Sequence, residues 1–170
     1  MIVIGIGSNL AAPPFAAPLT TAGAALARLP RLGIRVVRRS RWYLSEPVPA
    51  SNQPWFVNAV AIVETRLTPP ALLAALLALE ARFGRRRGAA NAARTLDLDL
   101  LDYNGLRLRT PRLALPHPRL HQRRFVLAPL VEVAPSWRHP RHGRRAADLL
   151  AHLAPGQPVR ALGERRRQRS

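Results

Sequence analysis

The chain has 170 residues, of which 27 are basic and 9 are acidic, and its formal net charge is +18 at pH 7. This length predicts one domain with a substantial hydrophobic core, and the absence of cysteine excludes disulfides and thiolate metal sites. Because every basic residue is arginine and the chain is rich in alanine and proline, the charge is typical of codon bias in a GC-rich genome and is a poor indicator of a nucleic-acid partner.

Neither a signal peptide nor a membrane span is expected. The first seven residues lack a basic flank and a long apolar stretch, and the longest apolar run, residues 71–79, is too short to cross a bilayer. We therefore expect a soluble cytoplasmic protein with a single domain over residues 1–163. Residues 164–170 are expected to form a basic, disordered tail.

The first half of the chain alternates between apolar runs and breaks rich in proline or glycine. Short apolar runs predict strands, and runs of alanine and leucine bounded by proline or glycine predict helices. These signals predict strands over residues 2–7, 34–44 and 56–65, a helix over 19–29 and a proline-restrained loop over 45–54. A second helix is predicted to start at the N-cap Thr68, run to Phe83 and end at Gly84.

The second half begins with a basic loop over residues 85–93 and a strand that follows it. A turn at Asn104-Gly105 predicts that residues 106–109 return beside this strand, and two helices are predicted near 121–133 and 145–153. The order β-α-β-β-α-β predicts an α+β, ferredoxin-like core with extra C-terminal elements. In such a core the sheet is mostly antiparallel, the helices lie on one face, and the first and fourth strands are expected to be neighbours at its centre.

The most informative pattern is an alternating run around two aspartates. It consists of Leu96, Asp97, Leu98, Asp99 and Leu100. A strand here places the leucines on one face and both carboxylates on the other. Two such carboxylates repel each other and need a positive partner, which one or two Mg²⁺ ions would supply, because hard cations prefer oxygen ligands. The alternative is a pair of solvated aspartates, although aspartate is uncommon in strands.

Groups of matching chemistry surround these aspartates in the sequence. They are Arg85, Arg87, Arg94, His117, Arg123, Arg124 and Phe125. Carboxylates and convergent arginines are typical of phosphoryl transfer, in which the protein positions substrates and neutralises phosphate charge. The chain has no Walker A run. Gly5 and Gly7 form a GxG fragment that fits either a nucleotide-binding turn or a strand approached closely by a neighbour.

A second cluster is suited to a flat heteroaromatic ring. Trp55, Phe56 and Phe125 are candidates for clamping such a ring by offset stacking. Asn58 offers both a donor and an acceptor, which suits the edge of a pterin or a purine. The alternative, which residue type alone favours, is that Phe56 and Phe125 are core residues.

Six stretches resemble one family in its own order and cover roughly residues 1–140. They are residues 6–10 (IGSNL), 45–48 (SEPV), 53–59 (QPWFVNA), 79–85 (LEARFGR), 94–100 (RTLDLDL) and 116–127 (PHPRLHQRRFVL). The family is the 6-hydroxymethyl-7,8-dihydropterin pyrophosphokinases of folate biosynthesis, which have a ferredoxin-like fold. The resemblance implies transfer of the β,γ-pyrophosphoryl group of ATP to the hydroxymethyl oxygen of the dihydropterin, with release of AMP.

The resemblance also assigns roles to residues of this chain. It implies that Asp97 and Asp99 bind two Mg²⁺ ions and that they act in catalysis together with Arg85 and Arg94. The implied pterin site, in which the two rings sandwich the pterin, consists of Ser45, Pro47, Val48, Phe56, Asn58 and Phe125. The implied ATP site consists of Glu80, whose role is left open, and of Arg85, Arg94, His117 and Arg123.

The chain departs from the family pattern in the loop before Arg94. The family usually carries Gly-Pro directly before this arginine and a bulky or basic residue upstream, whereas residues 88–93 read GAANAA. Since this loop is expected to close over ATP, its backbone freedom and the affinity for ATP should change. We expect activity to survive, because the metal ligands and the arginines remain. The stretch after about residue 141 matches little.

Two other functions are open on the sequence alone. A nucleotidyltransferase with a similar aspartate pair would also use two metals, but it would release pyrophosphate instead of AMP. A basic nucleic-acid-binding module would lose affinity steeply with salt, but it has no use for paired aspartates on a strand. The leading expectation is a monomer that binds ATP and the pterin, with no membrane and no specific nucleic-acid partner.

Overall fold

The computed structural model describes residues 1–86, 88 and 92–163. The predicted tail, residues 164–170, lies outside the described residues. The strands are β1 (Ile2–Ser8), β2 (Ile34–Arg39), β3 (Tyr43–Ser45), β4 (Phe56–Thr65), β5 (Asp97–Tyr103), β6 (Leu108–Arg109), β7 (Ala114–Leu115) and β8 (Val159–Ala161). The helices are α1 (Pro18–Leu26), α2 (Pro69–Arg82), α3 (Arg124–Val133) and α4 (Ala146–His152), with 3-10 turns at Leu29–Leu32 and Leu120–Gln122.

Six strands form one antiparallel sheet, and their arrangement confirms the predicted α+β fold. The order is β5-β1-β4-β3-β8, and β2 pairs with the other end of β4. The first and fourth predicted strands, β1 and β5, are neighbours as expected. The expectation that both lie at the centre is wrong for β5, which ends the strand order. Its outer edge is instead used by the His117 N–H, which donates to the Leu101 carbonyl over 2.8 Å.

The strand predicted over residues 34–44 is divided into β2 and β3, which pair with different parts of β4. Ser40 lies at the division and is buried. Its Oγ accepts the Val60 N–H at 3.1 Å and donates to the Arg41 carbonyl at 2.7 Å. Because a side chain takes over one ladder bond here, the backbone leaves the regular register and re-enters it as β3.

Two further expectations need correction at turns. Helix α1 ends at Leu26, three residues earlier than predicted, because Pro30 enforces a tighter 3-10 turn that Gly33 closes at φ 74°. The Asn104-Gly105 turn forms with φ of 52° and 71°. The segment after it does not return along β5, because β6 pairs with β7 in a separate two-stranded sheet.

The sheet has a hydrophobic core on each face. Helices α1 and α2 pack on the face that carries Ile4 and Leu98, as the ferredoxin-like pattern predicts. Helices α3 and α4 cover the opposite face around Val60 and Leu127, so the expectation of helices on one face alone is wrong. The reason is that β1 and β4 are apolar on both faces, with burial at nearly every position. No helix in the described ranges is long and apolar enough to span a bilayer.

A β-bulge in β5 connects the sheet to the C-terminal elements. The register shifts so that Val3 faces Asp102 while Ile4 faces Leu100, which leaves Leu101 as the extra residue. The buried Asp102 carboxylate accepts the Trp137 Nε1–H at 2.7 Å and the Gly105 N–H at 3.0 Å. This contact fixes the segment after α3 to the strand that carries the two candidate metal ligands.

The substitution Trp137→Phe should destabilise the fold by about 1–3 kcal/mol, because it leaves a buried carboxylate oxygen of Asp102 without its donor. Urea unfolding measures the change. Trp55→Phe, at a tryptophan that is 38% exposed, is the matched control and should leave the midpoint nearly unchanged. Equal midpoints for the wild type and Trp137→Phe would contradict the assigned contact.

Candidate active site

Two glycines of β1 make space beside the aspartate pair. Gly7 faces Asp97 and Gly5 faces Asp99 in the β1–β5 ladder. A Cβ on Gly7 would lie 3.3 Å from the Asn58 Oδ1 and 3.7 Å from the Asp97 Cβ, and one on Gly5 would lie 3.8 Å from the Asp99 Cβ. Of the two interpretations of the GxG fragment, the geometry therefore favours the strand that its neighbours approach closely.

Three arginines from different segments hold the two carboxylates. Arg85, after the end of α2, donates from Nη1 to the Asp97 Oδ1 at 2.8 Å, and Arg94 donates from Nη1 to the Asp97 Oδ2 at 2.8 Å. Arg123 donates from Nη1 to the Asp99 Oδ2 at 3.1 Å. All five side chains keep between 20% and 30% of their surface exposed, so the cluster is accessible to a ligand.

Glu80 supports this cluster from behind. It is 4% exposed, and its Oε1 accepts the Leu98 N–H at 2.6 Å and a hydrogen bond from the Arg85 Nη1. Burial raises the pKa of Glu80 to about 7, although the Leu98 N–H and Arg85 act in the opposite direction. Glu80 therefore ties helix α2 to β5 between the two aspartates and orients Arg85 toward Asp97.

Burial and charge repulsion shift the pKa values of groups at the aspartate pair. Burial and then repulsion from Asp97 raise the pKa of the Asp99 carboxyl above its ordinary value. Burial lowers the pKa of the His117 imidazole and of the Arg123 guanidinium, and the charge of Asp99 partly opposes both shifts. A further cation beside Asp99 would relieve the repulsion between the two carboxylates.

Ser8 and Asn9 fix the entry to β5, and sequence reasoning gave them no role. The Asn9 Oδ1 accepts the Arg94 N–H at 2.7 Å, and the Ser8 Oγ donates to the Thr95 carbonyl at 2.7 Å. The Asn9 Nδ2 also donates to the Pro54 carbonyl at 3.2 Å. The available signal was two small polar residues directly after a buried strand, which often terminate strands through side-chain hydrogen bonds.

All six predicted pterin residues line one cavity. They are Ser45, Pro47, Val48, Phe56, Asn58 and Phe125. Asp97, Asp99 and Arg94 line the same cavity, so the structure brings the aromatic cluster and the aspartate pair together. Phe56 and Phe125 are only partly buried at this wall. Their exposure to the cavity favours the clamp over the alternative that both rings belong to the core.

Asn58 is a buried residue that lines the cavity. It is 4% exposed, and its Nδ2 donates to the Ser45 Oγ at 2.8 Å. Its Oδ1 faces the space above Gly7. This fixed orientation leaves the amide able to recognise one edge of a planar ligand.

The C-terminal segment completes the cavity, although this part of the sequence matches the family pattern little. Strand β8 pairs with β3. The Gln157 Nε2 donates to the Glu46 carbonyl at 2.6 Å, and Gln157 itself lines the cavity. No sequence signal found this contribution, because Gln157 lies in a short irregular segment before a three-residue strand.

The residues predicted to contact ATP lie around the aspartate pair and not in one cavity. Glu80, Arg85 and Arg94 line a groove beside the pterin cavity, and Arg94 borders both. Arg123 contacts Asp99, whereas His117 lines a separate pocket. Of the loop that departs from the family pattern, residues 89–91 lie outside the described residues, as does the candidate Arg87. Ala92 borders both the groove and the pterin cavity.

The raised pKa of Glu80 predicts a pH-dependent stability. The folded state keeps the Glu80 proton between pH 4.5 and about 7, whereas the unfolded state has lost it, so the contribution of Glu80 to the unfolding free energy falls as the pH rises through this window. The lowered pKa of His139, about 4, acts in the opposite direction, so the Glu80 contribution is read from the difference between the wild type and Glu80→Gln. The fall should amount to at most about 3 kcal/mol and should be missing in Glu80→Gln.

Urea unfolding at several pH values measures this difference. Glu64→Gln, at an exposed glutamate, is the matched control and should follow the wild type. Parallel pH profiles for the wild type and Glu80→Gln would contradict the assignment.

The chain matches known proteins over most of its length. The family model described as 7,8-dihydro-6-hydroxymethylpterin-pyrophosphokinase matches residues 3–135. The 2-amino-4-hydroxy-6-hydroxymethyldihydropteridine pyrophosphokinase of Synechocystis is 42% identical over 151 residues, which are 89% of this chain and 75% of the relative. The enzyme of the same name from Pseudomonas aeruginosa is 43% identical over 150 residues, which are 88% of this chain and 90% of the relative.

Solved structures match the fold. A crystal structure of wild-type Plasmodium falciparum HPPK-DHPS with SDX-DHP aligns with a TM-score of 0.62 and 13% identity, over 88% of this chain and 43% of that one. The triple mutant of the same protein aligns with a TM-score of 0.67. Identity this low establishes only a shared fold. The family model and the relatives above 40% identity establish the family. The chain therefore belongs to the 7,8-dihydro-6-hydroxymethylpterin-pyrophosphokinase family.

Proposed function

We propose that this chain transfers the pyrophosphoryl group of ATP to 6-hydroxymethyl-7,8-dihydropterin, as its relatives are named to do. One observation carries the proposal: a carboxylate pair held by three guanidinium groups opens into the same cavity as Phe56, Asn58 and Phe125. The carboxylates and guanidinium groups suit a metal-bound triphosphate, whereas the two rings and Asn58 suit a planar bicyclic ring. The hydroxymethyl group of a bound pterin would point from the rings toward the carboxylates.

The pterin ring would be held by contacts on its faces and its edge. Phe56 from β4 and Phe125 from the first turn of α3 would pack against its two faces. Asn58 would bind the polar edge, and its hydrogen bond to Ser45 fixes the amide orientation. Backbone groups of the segment 45–48 would complete the edge contacts, supported by Gln157.

The donor set at the aspartate pair fits a hard divalent cation. Two carboxylates face one side of β5, and burial together with repulsion from Asp97 raises the pKa of Asp99. We infer that Asp97 and Asp99 would hold two Mg²⁺ ions, the hard cation that carboxylates bind together with phosphates. When bound, such ions neutralise phosphate charge and lower the pKa of a coordinated hydroxyl.

The arginines would change partners when the substrates bind. Both Asp97 oxygens are now occupied by Arg85 and Arg94, so a cation at Asp97 would release these guanidinium groups toward the phosphates. Arg123 would act in the same way from Asp99, and His117 would contact ATP from the neighbouring segment. Glu80 keeps Arg85 close to its working position throughout.

The reaction forms one bond and breaks one. The pterin hydroxymethyl oxygen bonds to the β-phosphorus of ATP, the bond from that phosphorus to the α,β-bridging oxygen breaks, and AMP leaves with that oxygen. The hydroxyl proton passes to solvent. No described side chain is placed as an obvious general base, so Asp97, Asp99 and the arginines act by positioning and charge neutralisation.

Three further proposals concern the domain organisation, the oligomeric state and the cellular compartment. We propose that residues 1–163 act as one domain, because β8 near its end supports the pterin cavity formed by β1, β3 and β4. A monomer suffices, because one chain supplies every residue of the proposed site. We propose the cytoplasm as the compartment, in keeping with a chain that has no cysteine.

Incubation with ATP, Mg²⁺ and 6-hydroxymethyl-7,8-dihydropterin should produce AMP only when the pterin is present. Asp97→Asn should lower this rate on the order of 10³-fold, because it removes one ligand charge from the site that carries the phosphates. Chromatography of the adenine nucleotides measures the product, and circular dichroism checks the fold. Asp148→Asn, at an exposed aspartate of α4, is the control with an unchanged rate.

Release of pyrophosphate in place of AMP would identify a nucleotidyltransferase. An Asp97→Asn variant with full activity would contradict the proposed metal site.

Phe56→Ala should raise the KM for the pterin at least about tenfold, because it removes one stacked and partly buried ring, while the KM for ATP should change little. Trp55→Ala is the matched control, because this neighbouring ring is exposed and does not line the cavity. Steady-state kinetics with each substrate varied in turn measures both constants. An equal rise for both substrates would indicate a general loss of structure and would contradict the specific pterin contact.

A further inference from the structure

Three of the five histidines form a cluster that the proposed reaction does not use. His121 lies in the 3-10 turn before α3, and His139 and His142 lie in the loop between α3 and α4. One ring nitrogen from each lies within 4.8 Å of the other two. The rings contact one another, with His139 and His142 stacked at a centroid distance of 4.2 Å and His121 edge-on to both.

Two nitrogens of this cluster are buried without a hydrogen-bond partner among the described residues. They are the His139 Nε2 and the His121 Nδ1. The His139 side chain belongs to a residue that is only 2% exposed. Buried polar atoms are normally paired, so two unpaired ring nitrogens in one cluster need an explanation. A metal ion would supply a partner to either nitrogen once that nitrogen has given up its proton.

We propose that His121, His139 and His142 bind a transition-metal ion of the Zn²⁺ class. Imidazole nitrogen suits Zn²⁺ and its neighbours in the first transition series, and three histidines plus one open position is a common coordination set for Zn²⁺. Tetrahedral geometry with Zn–N distances of 2.0–2.1 Å places ligand nitrogens about 3.4 Å apart, so the nitrogens, which now lie within 4.8 Å of one another, must approach and the rings must reorient. This site is chemically distinct from the aspartate pair, whose oxygens prefer Mg²⁺.

Metal binding requires a change at His139. Its Nδ1 now accepts the N–H groups of Arg141 at 3.1 Å and His142 at 3.4 Å, so the neutral ring carries its proton on Nε2. Coordination through Nε2 moves this proton to Nδ1 through solvent and turns the two amides away. The His142 ring must also leave its stacked position, which its exposure on a surface loop permits.

The fourth position would face a pocket bordered by arginines. Arg109 and Arg141 line it together with the three histidines, and no carboxylate is among its lining residues. An anion bound beside the metal would therefore be favoured over water alone. An occupied site would join the loop after α3 to the turn that precedes it, next to the segment that carries His117 and Arg123.

A metal titration of the tag-free chain tests this proposal. Zn²⁺ competition against a chromophoric chelator should give one equivalent bound per chain. His142→Ala and His121→Ala should each weaken the affinity at least tenfold. His152→Ala, at an exposed histidine outside the cluster, is the matched control, and Asp97→Asn should retain the Zn²⁺.

Two spectroscopic readouts distinguish this site from an oxygen-ligand site. Co²⁺ should give the intense visible bands of four-coordinate cobalt, and Zn²⁺ should shift the amide resonances of Arg141 and His142. Binding that is substoichiometric, that persists unchanged in both His121→Ala and His142→Ala, or that gives only the weak bands of octahedral Co²⁺ would overturn the proposal. None of these outcomes depends on pyrophosphoryl transfer.

Discussion

The repulsion between Asp97 and Asp99 is the constraint around which the site is organised. The pleat of β5 puts both carboxylates on one side, and the neighbouring Gly5 and Gly7 keep that side free of their own side chains. Arg85, Arg94 and Arg123 neutralise the pair from three segments of the chain. In the proposed function, the same guanidinium groups would pass from the carboxylates to the phosphates of ATP.

The hydrogen bonds that hold this pair and its strand in place come from different parts of the fold. Glu80 connects it to helix α2, Asn9 connects it to the end of β1, and the bulge at Asp102 connects its strand to the helices on the other face through Trp137. The sheet is therefore fixed at the site from both faces.

Sequence patterns predicted the local elements and the shared face of the two aspartates better than the long-range connections. The alternation around Asp97 and Asp99 reflects a two-residue period that any strand must have, so their shared face could be foreseen. The division at Ser40 depends on one side-chain bond to β4, and the contribution of Gln157 depends on β8 meeting β3, neither of which leaves a local pattern. Helices α3 and α4 were predicted, but their packing on the second face was missed, because apolar residues at consecutive positions of β4 do not indicate which face a given helix covers.

We propose that Asp97 and Asp99 together hold two metal ions for the triphosphate. Electron paramagnetic resonance of free Mn²⁺, titrated against the chain with a non-hydrolysable ATP analogue, tests it most directly, because Mn²⁺ replaces Mg²⁺ at oxygen ligands. We expect two bound Mn²⁺ ions in the wild type and at most one in Asp99→Asn. Two ions bound with unchanged affinity in Asp99→Asn, or none bound in the wild type, would contradict it.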